Sequence, residues 1–324
     1  MSYQESFDEI MVKVNQHWDT GTQEQIQIAY NLISDAALRF PDDASIQYIC
    51  YNYRYCAAAV LNQPDLAIDI FQKAVEAGYW WSEEYLRSDE DLKILQDLPA
   101  FNHLVEVCIQ KRQAVSSGAK PVSLLFPLPA RSAETFPLLL ALHGNTHNAK
   151  NSAPYWESAV EKGWLTVLPQ SSQQIFLDGY VWDDLELGGR EIKDHYHELE
   201  EKYQIDTGRV VAGGFSKGGE MAIWLALMEI IPLAGFIAVN PGGPYIGDIN
   251  KWEPLLENCK TITKMRGYFV AGEYDPNVEK IKALYKLLES RGMACELVVS
   301  PSIAHAFPKD FNQTLARALQ YLPQ

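Results

Sequence analysis

The sequence predicts an all-α helical-repeat domain over residues 1–118, followed over residues 119–324 by a doubly wound, mostly parallel α/β domain. Two observations carry this prediction. The first part of the chain has apolar residues at helical spacing and almost no strand signal. In the second part, short apolar runs typical of buried strands alternate with helical stretches. This alternation is typical of a parallel sheet covered by helices on both faces.

Length and charge narrow the class of protein. A chain of 324 residues is too long for one ordinary core and suits two domains. The net charge of -15 argues against a nucleic-acid partner and against docking on an anionic membrane by charge. The N-terminus lacks a basic and apolar secretory signal, and no apolar run approaches the roughly 18 residues of a membrane span. We therefore expect a cytoplasmic globular protein.

The cysteines and histidines predict neither disulfides nor a metal centre. The cysteines are odd in number and have no C-x-x-C spacing, which indicates buried free thiols. His195 and His197 are two positions apart, so they diverge on a helix and make a poor pair of metal ligands. We expect no metal and no cofactor. The cysteines are Cys50, Cys56, Cys108, Cys259 and Cys295.

The helical half contains a weak internal repeat. A small residue that lets two helices approach is followed, four positions on, by a large apolar residue that fills the groove. The spacing resembles the second helix of a tetratricopeptide repeat, whose usual length is about 34 residues; a generic helical bundle is the alternative. The repeated positions are Ala29, Ile33 and Ala36 and then, 38 residues later, Ala67, Phe71 and Ala74.

The rest of the chain divides into elements in a regular order. Two short helices are predicted before the linker, with Asp89 capping one and Pro99 beginning the next. Residues 116–137 predict a linker and a first strand. The further predicted strands are PLLLALHG, WLTVLPQ, RVVAGGFS, AGFIAVNP, GYFVAGE and CELVVSP, with helices near 152–162, 187–203, 217–230, 277–290 and 308–321.

A G-x-S-x-G motif, Gly214 to Gly218, lies where a predicted strand meets a predicted helix. A nucleophilic serine at this spacing projects its Oγ from a sharp turn, and the flanking glycines lack the bulk that would block it. The same glycines do not fit a phosphate loop, because Lys217 is followed by glycine rather than serine or threonine. Ser216 is therefore a candidate nucleophile.

A nucleophilic serine needs a base and a group that orients the base. Asp275 and His305 follow Ser216 in the chain order that this kind of site uses, and each lies just past a predicted strand. The loop His143–Asn145, just after another predicted strand, would supply one backbone N–H to an oxyanion, and the backbone N–H of Lys217 would supply the other. Taken singly, Asp275 also fits a turn or helix cap, and His305 also fits an ordinary loop histidine.

With these residues in order, residues 122–322 resemble the α/β-hydrolase superfamily, and within it the phospholipase/carboxylesterase family that includes acyl-protein thioesterases. The matching stretches are RVVAGGFSKGGEMAIWLAL, PLAGFIAVNPGGP, YVWDD and the segment from AGEYDP to AHAFP. The resemblance implies Ser216 as nucleophile, Asp275 as acid and His305 as base. It implies Asn145 and Lys217 as the oxyanion donors.

Two residues depart from the family pattern, and a third has two alternative roles. Lys217 replaces the usual glutamine, but only its backbone N–H is needed for catalysis. Glu273 stands where a small residue is common. Trp182, in the YVWDD stretch, is a candidate wall of the substrate pocket, with plain core packing as the alternative.

The predicted function is hydrolysis of a small-molecule carboxylic ester or thioester through a Ser-His-Asp triad and an acyl-enzyme. One alternative is an interaction protein whose hydrolase fold is not catalytic, and another is a peptidase on the same fold. Three roles are possible for the helical half: it binds a protein or peptide partner, it covers part of the active-site entrance, or it mediates dimerisation.

Overall fold

The structure is a computed structural model, and it describes residues 6–116, 121–126, 135–176 and 179–323. The chain divides into two compact units. We call them the helical unit, made of Met1–Ala119 with Gln174–Gly179, and the sheet unit, made of Lys120–Gln173 with Tyr180–Gln324.

The helical unit consists of helices that begin at clear capping signals. Ser6, Thr22, Asp43 and Ser82 each accept a hydrogen bond from a backbone N–H in the first turn of the following helix. Asp89 caps a 3-10 helix as predicted. The helices are α1 (Phe7–Asp19), α2 (Gln23–Arg39), α3 (Ala44–Val60), α4 (Pro64–Glu76), α5 (Glu83–Ser88), the 3-10 helix Glu90–Leu95, and α6 (Pro99–Ser116).

The repeated small and large apolar positions form the buried faces of α2 and α4. Ala29, Ile33, Ala67 and Phe71 have no exposed surface. Each helix buries these residues because they recur at helical spacing and so lie on one face. The buried face is therefore confirmed, whereas the tetratricopeptide assignment stays a prediction. Trp81 is buried in the core that contains the α4 residues Ala67 and Phe71, and its ring contacts that of Phe71.

The described part of the sheet unit contains a seven-stranded sheet in the order β1-β3-β2-β6-β7-β8-β9. Every pairing is parallel except that of the edge strand β1, which runs antiparallel to β3. The strands of this sheet are β1 (Val122–Leu125), β2 (Phe136–Leu142), β3 (Leu165–Gln170), β6 (Ile205–Phe215), β7 (Gly235–Val239), β8 (Arg266–Gly272) and β9 (Ala294–Ser300). Two short strands, β4 (Gln174–Phe176) and β5 (Gly179–Tyr180), lie outside it.

Alternate residues of the central strands enter two different cores. In β2, Leu138 and Leu140 pack with the helices α8 (Leu185–Lys202) and α9 (Lys217–Leu227), whereas Leu139 and Ala141 pack on the opposite face. Both faces are buried because successive side chains of a strand point in opposite directions. The helices are α7 (Ala149–Trp156), α8 (Leu185–Lys202), α9 (Lys217–Leu227), α10 (Pro244–Gly247), α11 (Glu253–Asn258), α12 (Val278–Ser290) and α13 (Phe311–Tyr321).

The predicted fold class is confirmed, and the predicted strands agree closely with the observed ones. The five cysteines are free and buried. Within the described residues, no helix is both long enough and apolar enough to cross a bilayer. The sequence missed the short helices α10 and α11, because a helix of one turn leaves little periodicity to detect.

Candidate active site

Ser216 occupies the sharp turn between β6 and α9. Its backbone angles, φ +53° and ψ -120°, are rare for a residue with a side chain. The turn is close-packed, because a Cβ on Gly214 would lie 2.1 Å from the carbonyl oxygen of Gly218. A Cβ on Gly218 would lie 2.4 Å from the carbonyl oxygen of Leu142. The glycines of the motif are therefore required by the turn itself.

The imidazole of His305 bridges Ser216 and Asp275. Its Nε2 lies 2.8 Å from the Ser216 Oγ, and its Nδ1 lies 2.6 Å from an Asp275 carboxylate oxygen. A carboxylate accepts, so Nδ1 carries the proton and donates. The lone pair on Nε2 is then directed at the Ser216 hydroxyl. The structure thus brings together the three residues that the sequence selected as candidates.

Asp275 is held on the buried side of this arrangement. The residue is 2% exposed, and its second carboxylate oxygen accepts a hydrogen bond of 2.7 Å from the Asn277 backbone N–H. The His305 side chain is 35% exposed and Ser216 is half-buried. The exposure therefore increases from the carboxylate of Asp275 to the imidazole of His305.

The two candidate oxyanion donors lie in different kinds of segment. Lys217 is the first residue of α9, where a backbone N–H has no partner within the helix. Asn145 is exposed in the loop after β2, and its side-chain oxygen accepts from the Thr146 backbone N–H. Thr146 itself has a positive φ of 64°. The loop thus has a backbone turn directly beside the predicted donor.

The His143 side chain holds this loop in place through two hydrogen bonds. Its Nε2 accepts from the Ser171 backbone N–H, so its Nδ1 carries the proton that is donated to the Gly144 carbonyl oxygen 2.9 Å away. Burial lowers the pKa of His143 to about 4. The imidazole is neutral at physiological pH and serves as a hydrogen-bonding brace.

Trp182 lies in the core of the sheet unit. It has no exposed surface, stacks on the His143 ring at 4.9 Å and donates from its indole N–H to the His143 carbonyl oxygen. A Cβ on Gly188 would lie 2.9 Å from the Trp182 ring. Complete burial favours core packing, the alternative role given above, over the pocket wall.

The Lys217 side chain has partners that sequence reasoning did not find. Its Nζ lies 3.3 Å from Asp183 and 3.3 Å from Glu220, and only a tenth of the side chain is exposed. Glu220 has no exposed surface and also accepts from the Tyr245 and Ile246 backbone N–H groups. Burial raises the pKa of Glu220, and the charge of Lys217 opposes that rise.

One aromatic ring contacts His305 and two more extend that contact, and sequence reasoning missed all three. Phe215 packs against the His305 ring at 5.1 Å and stacks on Phe307 at 4.7 Å. Phe307 in turn stacks on Tyr155 at 3.9 Å. Phe215 directly precedes Ser216, Phe307 lies in the loop after His305, and Tyr155 lies in α7. They are separated along the chain, so no sequence pattern predicts that their rings lie together.

One cluster in the helical unit has the composition of a metal site. Among the described residues, Cys56, Asp89 and Asp91 bring their donor atoms within 4.8 Å of one another. The Cys56 thiol donates to Asp89, and burial raises its pKa well above the usual range. The thiol therefore keeps its proton at neutral pH in this arrangement, and the observed contact is an internal hydrogen bond from Cys56 to Asp89.

The fold and the strand-turn-helix geometry at Ser216 define the class: this is an α/β-hydrolase. Two family models match the chain. Residues 191–322 match the phospholipase/carboxylesterase family, and residues 10–116 match the A/B hydrolase-like N-terminal domain. Residues 191–322 are thus similar to the phospholipase/carboxylesterase family, and that similarity indicates a hydrolase of the esterase type.

Individual relatives agree with this placement. A putative hydrolase of Bacillus subtilis strain 168, MhqD, is 27% identical over 175 residues, which cover 49% of this chain and 81% of that protein. An uncharacterized protein of Bacillus cereus ATCC 10987 is 28% identical, with 98% and 99% of the two chains covered and a TM-score of 0.53. Esterase PE8 shares the fold at 17% identity and a TM-score of 0.53, over 63% of this chain and 99% of its own.

Proposed function

We propose that this protein hydrolyses small-molecule carboxylic esters or thioesters, with Ser216 as nucleophile, His305 as base and Asp275 as the group that orients it. One observation carries the proposal: the His305 ring lies within hydrogen-bond distance of both the Ser216 Oγ and the Asp275 carboxylate. Nucleophile, base and orienting acid in contact are what acyl transfer through an acyl-enzyme requires.

The proposed reaction has two halves. As the Ser216 Oγ attacks the carbonyl carbon, its proton passes to Nε2 of His305, and Asp275 stabilises the imidazolium. The backbone N–H groups of Asn145 and Lys217 hold the oxyanion, and the imidazolium then protonates the leaving alcohol or thiol. In the second half, water attacks the acyl carbon as His305 takes its proton, and the imidazolium then returns that proton to the Ser216 Oγ while the acyl group leaves as the carboxylic acid.

The direct test is hydrolysis of a short-chain aryl ester by the wild type and by Ser216→Ala. We expect the variant to lose at least about three orders of magnitude in kcat, because the nucleophile is removed. Ser290→Ala is the matched control, since Ser290 is an exposed serine that bonds to the Leu287 carbonyl oxygen. Equal rates in the wild type and Ser216→Ala would refute the proposal.

A fluorophosphonate probe tests the nucleophile without assuming a substrate. We expect covalent labelling of the wild type, and no labelling of Ser216→Ala. Parallel assays on an ester, a thioester and an amide with the same acyl group then separate the three substrate classes. A protein that labels but prefers the amide would be a peptidase, contrary to the proposal.

A further inference from the structure

The short turn after β7 meets every segment that carries a proposed triad residue. The Ser216 backbone N–H donates to the Val239 carbonyl oxygen at 3.0 Å, and the Gly242 N–H donates to the Ser216 carbonyl oxygen at 3.1 Å. A Cβ on Gly242 would lie 3.6 Å from the Ser216 Oγ and 3.7 Å from the His305 ring. Residues 239–242 are therefore next to both the nucleophile and the base.

Asn240, at the centre of this turn, joins the acid and base segments through one side chain. Its amide oxygen accepts from the Gly272 backbone N–H at 2.7 Å, three residues before Asp275. Its amide nitrogen donates to the Ala306 carbonyl oxygen at 2.7 Å and has a longer contact of 3.5 Å with the Ala304 carbonyl oxygen. The two carbonyl groups flank His305 in the chain.

The chemistry of these partners determines the orientation of the amide. A backbone N–H only donates and a carbonyl oxygen only accepts, so the oxygen of the Asn240 amide must face Gly272 and its nitrogen must face the loop around His305. No other side chain of this length carries a fixed donor and a fixed acceptor together. Asparagine therefore serves both segments at once.

Burial and backbone conformation indicate that this residue is there for its side chain. Asn240 has no exposed surface, and its φ is +42°, in the left-handed region that costs free energy in residues other than glycine. Asparagine tolerates this region better than most residues, but glycine would fit without strain. The strain is offset by the hydrogen bonds of the amide.

The other bonds of the loop hold a different part of it. Tyr274 donates from its backbone N–H to the Ile303 carbonyl oxygen, and the Ser302 N–H donates to the Glu273 carboxylate. These contacts hold residues before His305, whereas Asn240 bonds to the residue that follows it. A Cβ on Gly272 would lie 2.2 Å from the Ala304 carbonyl oxygen, so the two segments are in tight contact at the level of Asn240.

We propose that Asn240 is a positioning residue, whose amide holds the His305 imidazole in reach of both Ser216 and Asp275. The inference rests on the proposed function, because it acts through His305. It predicts that loss of the amide slows the chemical step while the protein stays folded and binds substrate normally.

The first test is Asn240→Gly, which suits the backbone conformation and removes only the amide. We expect kcat for a short-chain aryl ester to fall about 10- to 100-fold, as for a catalytic group displaced by about an ångström. KM should stay within about twofold, and the far-ultraviolet circular dichroism should match that of the wild type. A wild-type kcat in this variant would overturn the inference.

Asn240→Asp gives a second test with the same shape. Its carboxylate keeps the bond from the Gly272 N–H but turns its other oxygen toward two carbonyl oxygens, so kcat should fall at least as far as in Asn240→Gly. Asn258→Asp is the matched control, because Asn258 also donates to a carbonyl oxygen, that of Pro254, at an exposed position of α11. The control should keep the wild-type kcat. Equal losses in both Asp variants would contradict the inference.

A double-variant cycle separates positioning from a general structural effect. If Asn240 acts through His305, Asn240→Gly should cost nothing further in a His305→Ala protein. An additional loss of tenfold or more in that background would overturn the inference. Ser216→Ala, assayed in parallel, reports on the proposed function separately. Failure of that function leaves Ser216→Ala active, whereas failure of the Asn240 inference leaves Ser216→Ala inactive and Asn240→Gly fully active.

Discussion

At the scale of single residues, burial gives two titratable groups roles that their types alone do not indicate. His143 is a neutral brace under the loop that carries Asn145, and Glu220 is a buried carboxylate shared by Lys217 and the first turn of α10. Neither group is a proton-transfer group of the proposed triad. Both support the backbone on which the candidate oxyanion donors lie.

His143 makes the stability of the protein depend on pH. Its pKa is about 4 in the folded protein and near 6.5 when exposed, so the unfolded chain binds the extra proton between these values. The free energy of unfolding is therefore unaffected by the titration of His143 above about pH 6.5. It decreases as the pH falls toward 4, by about 3 kcal/mol in total.

Urea unfolding between pH 7 and pH 4 measures this dependence. We expect His143→Asn, which cannot titrate, to be less stable than the wild type at pH 7 but to lose less stability on acidification. The difference in the free energy of unfolding between the two proteins should therefore shrink by about 3 kcal/mol. Parallel curves across this range would contradict the prediction.

Glu220→Ala should destabilise the fold strongly. The change leaves the Lys217 ammonium without its buried partner and the Tyr245 and Ile246 N–H groups without an acceptor, which should cost about 3–5 kcal/mol in the free energy of unfolding. Glu279→Ala is the control, because Glu279 pairs with Lys282 at an exposed site and should cost less than about 1 kcal/mol. Similar losses would show that the buried network contributes no more than a surface pair.

At the scale of elements, the turn from β6 to α9 forms only because its two flanking residues are glycines, which can approach each other closely. Gly214 and Gly218 approach until a single added methyl group would overlap a carbonyl group. The strained φ of Ser216 persists because the strand on one side and the helix on the other fix the ends of the turn.

Gly214→Ala tests this packing. We expect a loss of at least about 3 kcal/mol in the free energy of unfolding, or insoluble protein, together with lost fluorophosphonate labelling of Ser216. Gly247→Ala is the matched control, since a Cβ there would have no neighbour within 4 Å. The control should unfold within about 1 kcal/mol of the wild type. A stable, labelled Gly214→Ala protein would contradict the proposed geometry.

At the scale of the whole molecule, the cores of the two units contain different residues. The cluster around Phe71 and Trp81 belongs to the helical unit, and the cluster that contains Phe236 belongs to the sheet unit. We propose that residues 1–118 and 119–324 are two domains, with the esterase chemistry confined to the second. A core substitution in the first domain should then leave the chemistry intact.

Phe71→Ala and Phe236→Ala form a matched pair for this proposal, because both side chains are fully buried in their own cores. Each should lower the free energy of unfolding of its unit by about 3–5 kcal/mol. Below the unfolding temperature, Phe71→Ala should keep kcat for an aryl ester, whereas Phe236→Ala, in β7 just before Asn240, should lower it. A large loss of kcat in folded Phe71→Ala would contradict the division.

The sequence predicted the order of helices and strands well because those signals are local. Apolar periodicity and glycine placement act within about ten residues, so they identified β6, α9 and the turn at Ser216 before any contact was known. Asp275 and His305 could be selected as candidates for a related reason, since each follows a strand and their order along the chain is visible. The one-turn helices and the Trp182 environment left no such signal.

By itself, then, the sequence determined the fold class and the three candidate residues of the triad, because each depends on local pattern and chain order. Only the tertiary structure assigned partners to Lys217 and Asn240 and buried Trp182, because those contacts join segments far apart in the chain. Asn240 and Ala306 are 66 positions apart, and no spacing rule relates them. The backbone of Lys217 was readable from its place after the serine, whereas its side chain acquires a role only when Asp183 and Glu220 come beside it.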